Sequence, residues 1–133
     1  MGYDIELVLK GKVVEVDRHQ EGANYCIHGK TEASLNITYN YSFFYYHFLD
    51  KEEGIRWLYG KTAKECIERL EKAVEILGVV EYRQLKPGEN IFSDDENNYI
   101  YHYWAATPGN AGYALSILLK WVKANPEAIF EGD

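Results

Sequence analysis

Ala33-Ser34-Leu35-Asn36-Ile37-Thr38-Tyr39-Asn40-Tyr41-Ser42 is the stretch whose reading decides the fold. Leu35, Ile37, Tyr39 and Tyr41 alternate with Ser34, Asn36, Thr38, Asn40 and Ser42. A period of two belongs to an extended strand. The run therefore predicts a strand over 33–42, with Leu35, Ile37 and Tyr39 buried and Asn36, Thr38 and Asn40 on a polar face. The same period appears upstream, where Tyr3, Ile5, Leu7 and Leu9 alternate with Asp4, Glu6 and Val8. Lys10-Gly11-Lys12 supplies a tight turn and Val13-Val14-Glu15-Val16 the return, which predicts a hairpin over 3–17. Residues 18–30, with Gly22, Asn24 and Gly29, read as a loop enclosing a short strand at Tyr25-Cys26-Ile27.

Beyond Ser42 the period lengthens. Phe43 to Leu49 predicts a short aromatic helix, and Gly54 to Gly60 a helical turn bounded by glycine. Thr62 stands three residues before Glu65, a capping box, and opens a helix over about 62–77. Its apolar positions Ala63, Cys66, Ile67, Leu70, Ala73, Val74 and Leu77 follow the 3.6-residue period, and Gly78 stops it. Val79 to Leu85 reads as a short edge strand, and residues 86–98, with Pro87, Gly88, Asp94 and Asp95, as an exposed variable loop. Tyr99 to Trp104 reads as a strand or an ordered loop. Thr107 is a good N-cap and Pro108 a good first residue for a helix over 108–124, which Asn125-Pro126 ends. Strands precede helices without βαβ alternation. The expected class is thus α+β, one domain over 1–133 with a mainly antiparallel sheet from the N-terminal half packed on the two longer helices.

The chain has 133 residues, 47% of them apolar and 26% charged, which suits one globular core. No apolar run is long enough to span a bilayer, and the charged N-terminus has no secretory h-region. Two cysteines, Cys26 and Cys66, make no disulfide framework and read as cytosolic thiols. Fourteen basic against twenty-one acidic residues leave a formal charge of −7, which opposes non-specific binding to nucleic acid. Twelve tyrosines and three tryptophans are the compositional anomaly. Such rings suit half-wet pockets and interfaces, and their number predicts a homo-oligomer.

Two constellations are candidate sites. Asn36, Thr38 and Asn40 offer uncharged donors and acceptors on one strand face, where asparagine is otherwise disfavoured. Thr107, Gly109 and Asn110 open a helix whose N–H groups suit an anion, and Tyr103 and Trp104 just before them offer stacking surfaces. The four histidines His19, His28, His47 and His102 lack zinc spacing, neither cysteine sits in a C-x-x-C, and Asp94-Asp95-Glu96 lacks the ligand alternation of a calcium loop. No metal or cofactor is expected. G-x-S-x-G, Walker A, H-E-x-x-H and G-x-G-x-x-G are missing from the sequence, so the reading leans away from an enzyme.

Leu35-Asn36-Ile37-Thr38-Tyr39-Asn40-Tyr41, Gly54-Ile55-Arg56, Leu58-Tyr59-Gly60-Lys61 and Tyr103-Trp104-Ala105-Ala106-Thr107-Pro108-Gly109-Asn110-Ala111 resemble a family of small phage and prophage proteins. The ending Phe130-Glu131-Gly132-Asp133 is similar too, with tryptophan usual at the position of Phe130. The resemblance implies origin rather than mechanism and carries no catalytic residue. It implies an accessory role against host defences, in the cytoplasm of a bacterial host. The expected function is binding of a small nucleotide-like ligand without turnover, sequestering an immune signal, through Asn36, Thr38, Asn40, Tyr103, Trp104, Thr107, Gly109 and Asn110. One alternative is an inhibitor that binds a host defence protein through an acidic and aromatic surface; another is a small nucleotide hydrolase. The acidic residues read as scattered among helices and loops, which counts against imitation of DNA.

Overall fold

Tyr3, Ile5 and Leu7 are buried while Asp4 is exposed and Glu6 only half-covered, so the N-terminal alternation folds as a strand with one face inward. The computed structural model describes residues 2–16, 26–27, 32–80 and 105–133. In chain order the elements are β1 (Gly2–Leu9), β2 (Lys12–Val13), β3 (Cys26–Ile27), β4 (Ser34–Thr38), a 3-10 turn (Tyr39–Tyr41), α1 (Ser42–Phe48), a second 3-10 turn (Gly54–Leu58), α2 (Ala63–Leu77), α3 (Pro108–Ala124) and β5 (Ile129–Gly132). Every pairing is antiparallel. β1 is internal: Ile5 stands opposite Leu35 of β4 on one edge and Gly132 of β5 on the other. β3 extends the sheet beyond β4, with Cys26 opposite Asn36. The fold is α+β.

The inner face of the sheet meets α2 and α3. Tyr3, Ile5, Leu7, Leu35, Ile37 and Phe130 share one core with Cys66, Leu70 and Ala73 of α2 and Ala111, Leu115, Leu118 and Val122 of α3. Full burial of each larger aliphatic side chain contributes about 1.5–3 kcal/mol, so this layer contact dominates the stability. The two helices are antiparallel. The Lys64 N–H donates to the Pro126 carbonyl at 3.0 Å, and the Val80 N–H donates to the Gly109 carbonyl at 3.1 Å. Helix bounds follow the sequence expectation closely. Glu65 Oε2 accepts from the Thr62 N–H at 3.3 Å, closing one arm of the capping box.

Two expectations need correction. The strand predicted over 33–42 ends at Thr38, whose Oγ1 accepts from the Asn40 N–H at 3.2 Å and caps the 3-10 turn that follows. From there the chain is helical. Tyr41, Tyr45 and Leu49 are buried at a spacing of four, and Tyr39 is 42% exposed rather than buried. The second correction is β5, for which the sequence reading assigned no strand. Phe130 is fully buried. Its N–H donates to the Lys61 carbonyl at 3.0 Å and its carbonyl accepts from Gly60 at 2.8 Å, so β5 is held between β1 and the segment before α2. Val79 and Val80 lie outside any strand. The rest of the strand expected to Leu85, the 86–98 loop, Tyr99 to Trp104 and most of the 18–30 loop lie outside the described residues. Among the described residues, no helix is long and apolar enough to cross a membrane.

Candidate functional site

The residues expected to bind a ligand fall into two groups that the sheet separates. Asn36 is half-buried on the outer face, and its Nδ2 donates to Asp4 Oδ1 at 2.6 Å. Thr38 is buried at 7% exposure and serves as the cap described above, rather than facing a groove. Asn40 is exposed but sits in the 3-10 turn, out of line with the strand. The predicted polar row therefore reduces to Asn36. Thr107, Gly109 and Asn110 lie at the start of α3, on the inner side. Thr107 Oγ1 accepts from the Asn110 N–H at 3.2 Å. The Asn110 side chain is buried and donates from Nδ2 to the Ala105 carbonyl at 3.1 Å, clamping the approach to the helix. Gly109 lies against Val80, so close that a methyl group on it would stand 3.2 Å from the Val80 Cβ. Tyr103 and Trp104 lie outside the described residues.

The outer face of the sheet collects what the sequence reading left scattered. Residues directly opposite in an antiparallel pair share a face, so the register assigns each side chain. Asp4 stands opposite Asn36. Glu6 stands opposite Ser34 on one edge and Glu131 on the other. Glu15 stands opposite Glu32, which is in phase with Ser34 and Asn36. Glu6–Glu131 and Glu15–Glu32 are thus like-charge cross-strand pairs, an arrangement that destabilises a sheet. Asp4, Glu15, Glu32 and Glu131 are exposed, and among the described strand residues no lysine or arginine shares their face. Next to them, Asp133 Oδ1 accepts from the Asp4 N–H at 3.0 Å. The sequence signal for part of this face was present in Asp4 and Glu6 on β1. Glu131 needed β5, which was not expected.

A second cluster surrounds Trp57. The Arg69 guanidinium lies 3.9 Å from its ring and the Lys61 ammonium 4.3 Å from it. Lys61 Nζ donates to the Trp57 carbonyl at 2.6 Å, and Arg69 pairs with Asp50 at 2.9 Å. The Asp50 carboxyl is held below the usual carboxylate range, first by the Glu53 N–H and then by the Glu52 N–H and Arg69. These contacts fasten α2 to the turn after α1. Cys66 is fully buried on α2, and burial pushes its thiol up to about 11. Among the described residues, no group of three or more His, Cys, Asp or Glu side chains is placed to hold a metal ion. Comparison with protein-family models, with curated proteins and with solved structures finds no match in any of the three.

Proposed function

We propose that the chain acts by binding, without turnover, a protein partner that carries a basic surface, and that the outer face of the sheet is where it does so. The observation that carries this is the pair of like-charge cross-strand contacts, Glu6–Glu131 and Glu15–Glu32. Facing carboxylates cost the isolated fold stability, on the order of 0.2–1 kcal/mol for a cross-strand pair. A cationic surface laid over them turns that cost into attraction and speeds encounter. Rows of carboxylates on neighbouring strands also offer a nucleic-acid-binding protein a regular array of negative charge. This favours the inhibitor reading, and the resemblance to small phage proteins makes a host protein the expected partner. A nucleotide-like ligand has less support. Its phosphates would meet Asp4, Glu6 and Glu131 on the sheet, and the hydroxyl and amide groups expected to hold it cap or clamp the chain itself.

The test joins stability to binding. The double variant Glu6→Gln, Glu131→Gln is expected to melt slightly higher than the parent and to release a basic partner, captured from bacterial host extract, at lower salt. Release of the partner at the same salt as the parent, whatever the melting temperature, would reject the surface. Stabilisation by a cyclic dinucleotide, ADP-ribose derivative or plain nucleotide, recovered intact after denaturation, would restore the small-ligand reading.

A further inference from the structure

Between Glu32 and Asp50 the sequence has no charged residue, and α1 lies within that interval. Its inner side is filled by Tyr41, Tyr45 and Leu49, and the Tyr45 hydroxyl donates to the Ala111 carbonyl at 3.0 Å. The opposite side centres on Phe43 and His47, flanked by Tyr46 on one side and Phe48 on the other, with Tyr39 in the turn before; Phe43 is 63% exposed. The rings brace one another. His47 lies tilted against both phenyl rings, 4.3 Å from Phe43 and 5.9 Å from Phe48, and Tyr39 meets Tyr3 edge-on at 4.7 Å. Taking about 200 Å² for a whole aromatic side chain, the four exposed rings offer roughly 350 Å² of apolar surface. That sum reaches the lower end of the range for the largest apolar patch of a typical monomer. It is nearly half of the ~800 Å² that each partner contributes to a standard interface.

We propose that this face is the contact between two copies of the chain, related by a twofold axis. Two molecules of formal charge −7 repel wherever their carboxylates approach, and residues 39–49, which follow β4 and carry no carboxylate, offer a surface on which they can meet. Aromatic surface is self-complementary, because rings pack edge-to-face on rings, and this is what an isologous contact requires. A basic partner, by contrast, gains nothing from an uncharged patch and is drawn to the other face of the sheet. The two surfaces are distinct, since α1 packs on the inner side while Asp4, Glu6 and Glu131 point outward. A pair joined through α1 therefore keeps two acidic faces open, and a partner with repeated basic sites would be held by both.

Sedimentation velocity over a concentration series tests this on the full chain. The parent is expected to shift from one to two chain masses as concentration rises, and the shift is expected to strengthen with salt, which screens the residual repulsion. Phe43→Asp is expected to weaken the association at least tenfold with an unchanged melting temperature at dilutions where the parent is monomeric, since Phe43 lies outside the core. Leu9→Asp, at an exposed apolar residue outside α1, is expected to associate as the parent does. A parent that stays monomeric throughout would overturn the proposal. So would a Phe43→Asp variant, or a milder Phe43→Ser variant with Phe48→Ser, that associates as strongly as the parent.

Discussion

Gly112 of α3 faces the carbonyl oxygen of Gly78 so closely that a methyl group built on Gly112 would overlap that oxygen. Gly78 ends α2 with a φ of 77°, which turns its carbonyl toward the first turn of α3. The end of α2 thus meets α3 there through a backbone-to-backbone contact that admits no side chain. Gly112→Ala is expected to force the helix ends apart and to destabilise the fold by about 3 kcal/mol, the upper range for overpacking a core. Denaturant unfolding measures it, and a midpoint indistinguishable from the parent would show that the crossing is looser than described.

Asn110 gives a second, separable expectation. Its buried amide satisfies the Ala105 carbonyl, so Asn110→Ala leaves that group without this donor and is expected to cost about 1–2 kcal/mol. The slope of the denaturant curve should not change, because the surface exposed on unfolding is the same. A variant of full stability that nevertheless loses a bound nucleotide would return Asn110 to the ligand-binding role the sequence had assigned it.

Asp50 links stability to pH. Its folded carboxyl titrates below its unfolded value, about 3.9 for an ordinary aspartate. The contribution is therefore present above that value and lost as pH falls through the folded one. Asp50→Asn keeps an oxygen for the Glu52 and Glu53 N–H groups but loses the charge that faces Arg69. The melting-temperature gap between parent and variant is expected to be widest near neutral pH and to close in acid. A gap that stays constant from neutral pH to pH 2 would contradict the assignment.

Cys66 reports on opening of the core. Its thiol is buried and pushed up to about 11, so at neutral pH it is both protonated and inaccessible. In a Cys26→Ser background, maleimide labelling of Cys66 is expected to proceed only as fast as the chain unfolds and to go to completion in denaturant. Rapid labelling of the native protein would mean that α2 separates from the sheet far more readily than its packing implies.

Local chemistry was legible in the sequence where a period or a cap ran long enough to be unambiguous. Thr62, Glu65, Gly78, Thr107 and Pro108 mark the two long helices within a residue of their observed bounds. The alternation of Tyr3, Ile5 and Leu7 identifies β1. The alternation past Thr38 misled, because Tyr41 is equally well spaced to continue into a helix with Tyr45 and Leu49, and one hydroxyl cap decides between the two. β5 was illegible for a different reason. Ile129 and Phe130 are too few to show a period, and their strand conformation comes from β1, whose partner residues are far away in the sequence. The acidic face inherited that difficulty: a charge pair across strands cannot be seen until the register is known.

The pairing of β1 with β5 also sets an order of events in time. The Asp4 N–H and the Asp133 carboxylate that accepts from it are 129 positions apart in the chain. During synthesis β1 is made long before β5, and one of its edges lacks that partner until residues 129–132 are made. For that whole interval an apolar strand, with Ile5 and Leu7 on its inner side, has an unpaired edge, a template for pairing with another chain. Closure depends on contacts of long sequence separation, which places folding toward the slow end for a domain of this size. The interval between making β1 and seating Phe130 is therefore when the chain is most exposed to misassembly, and β5 acts as the latch that ends it.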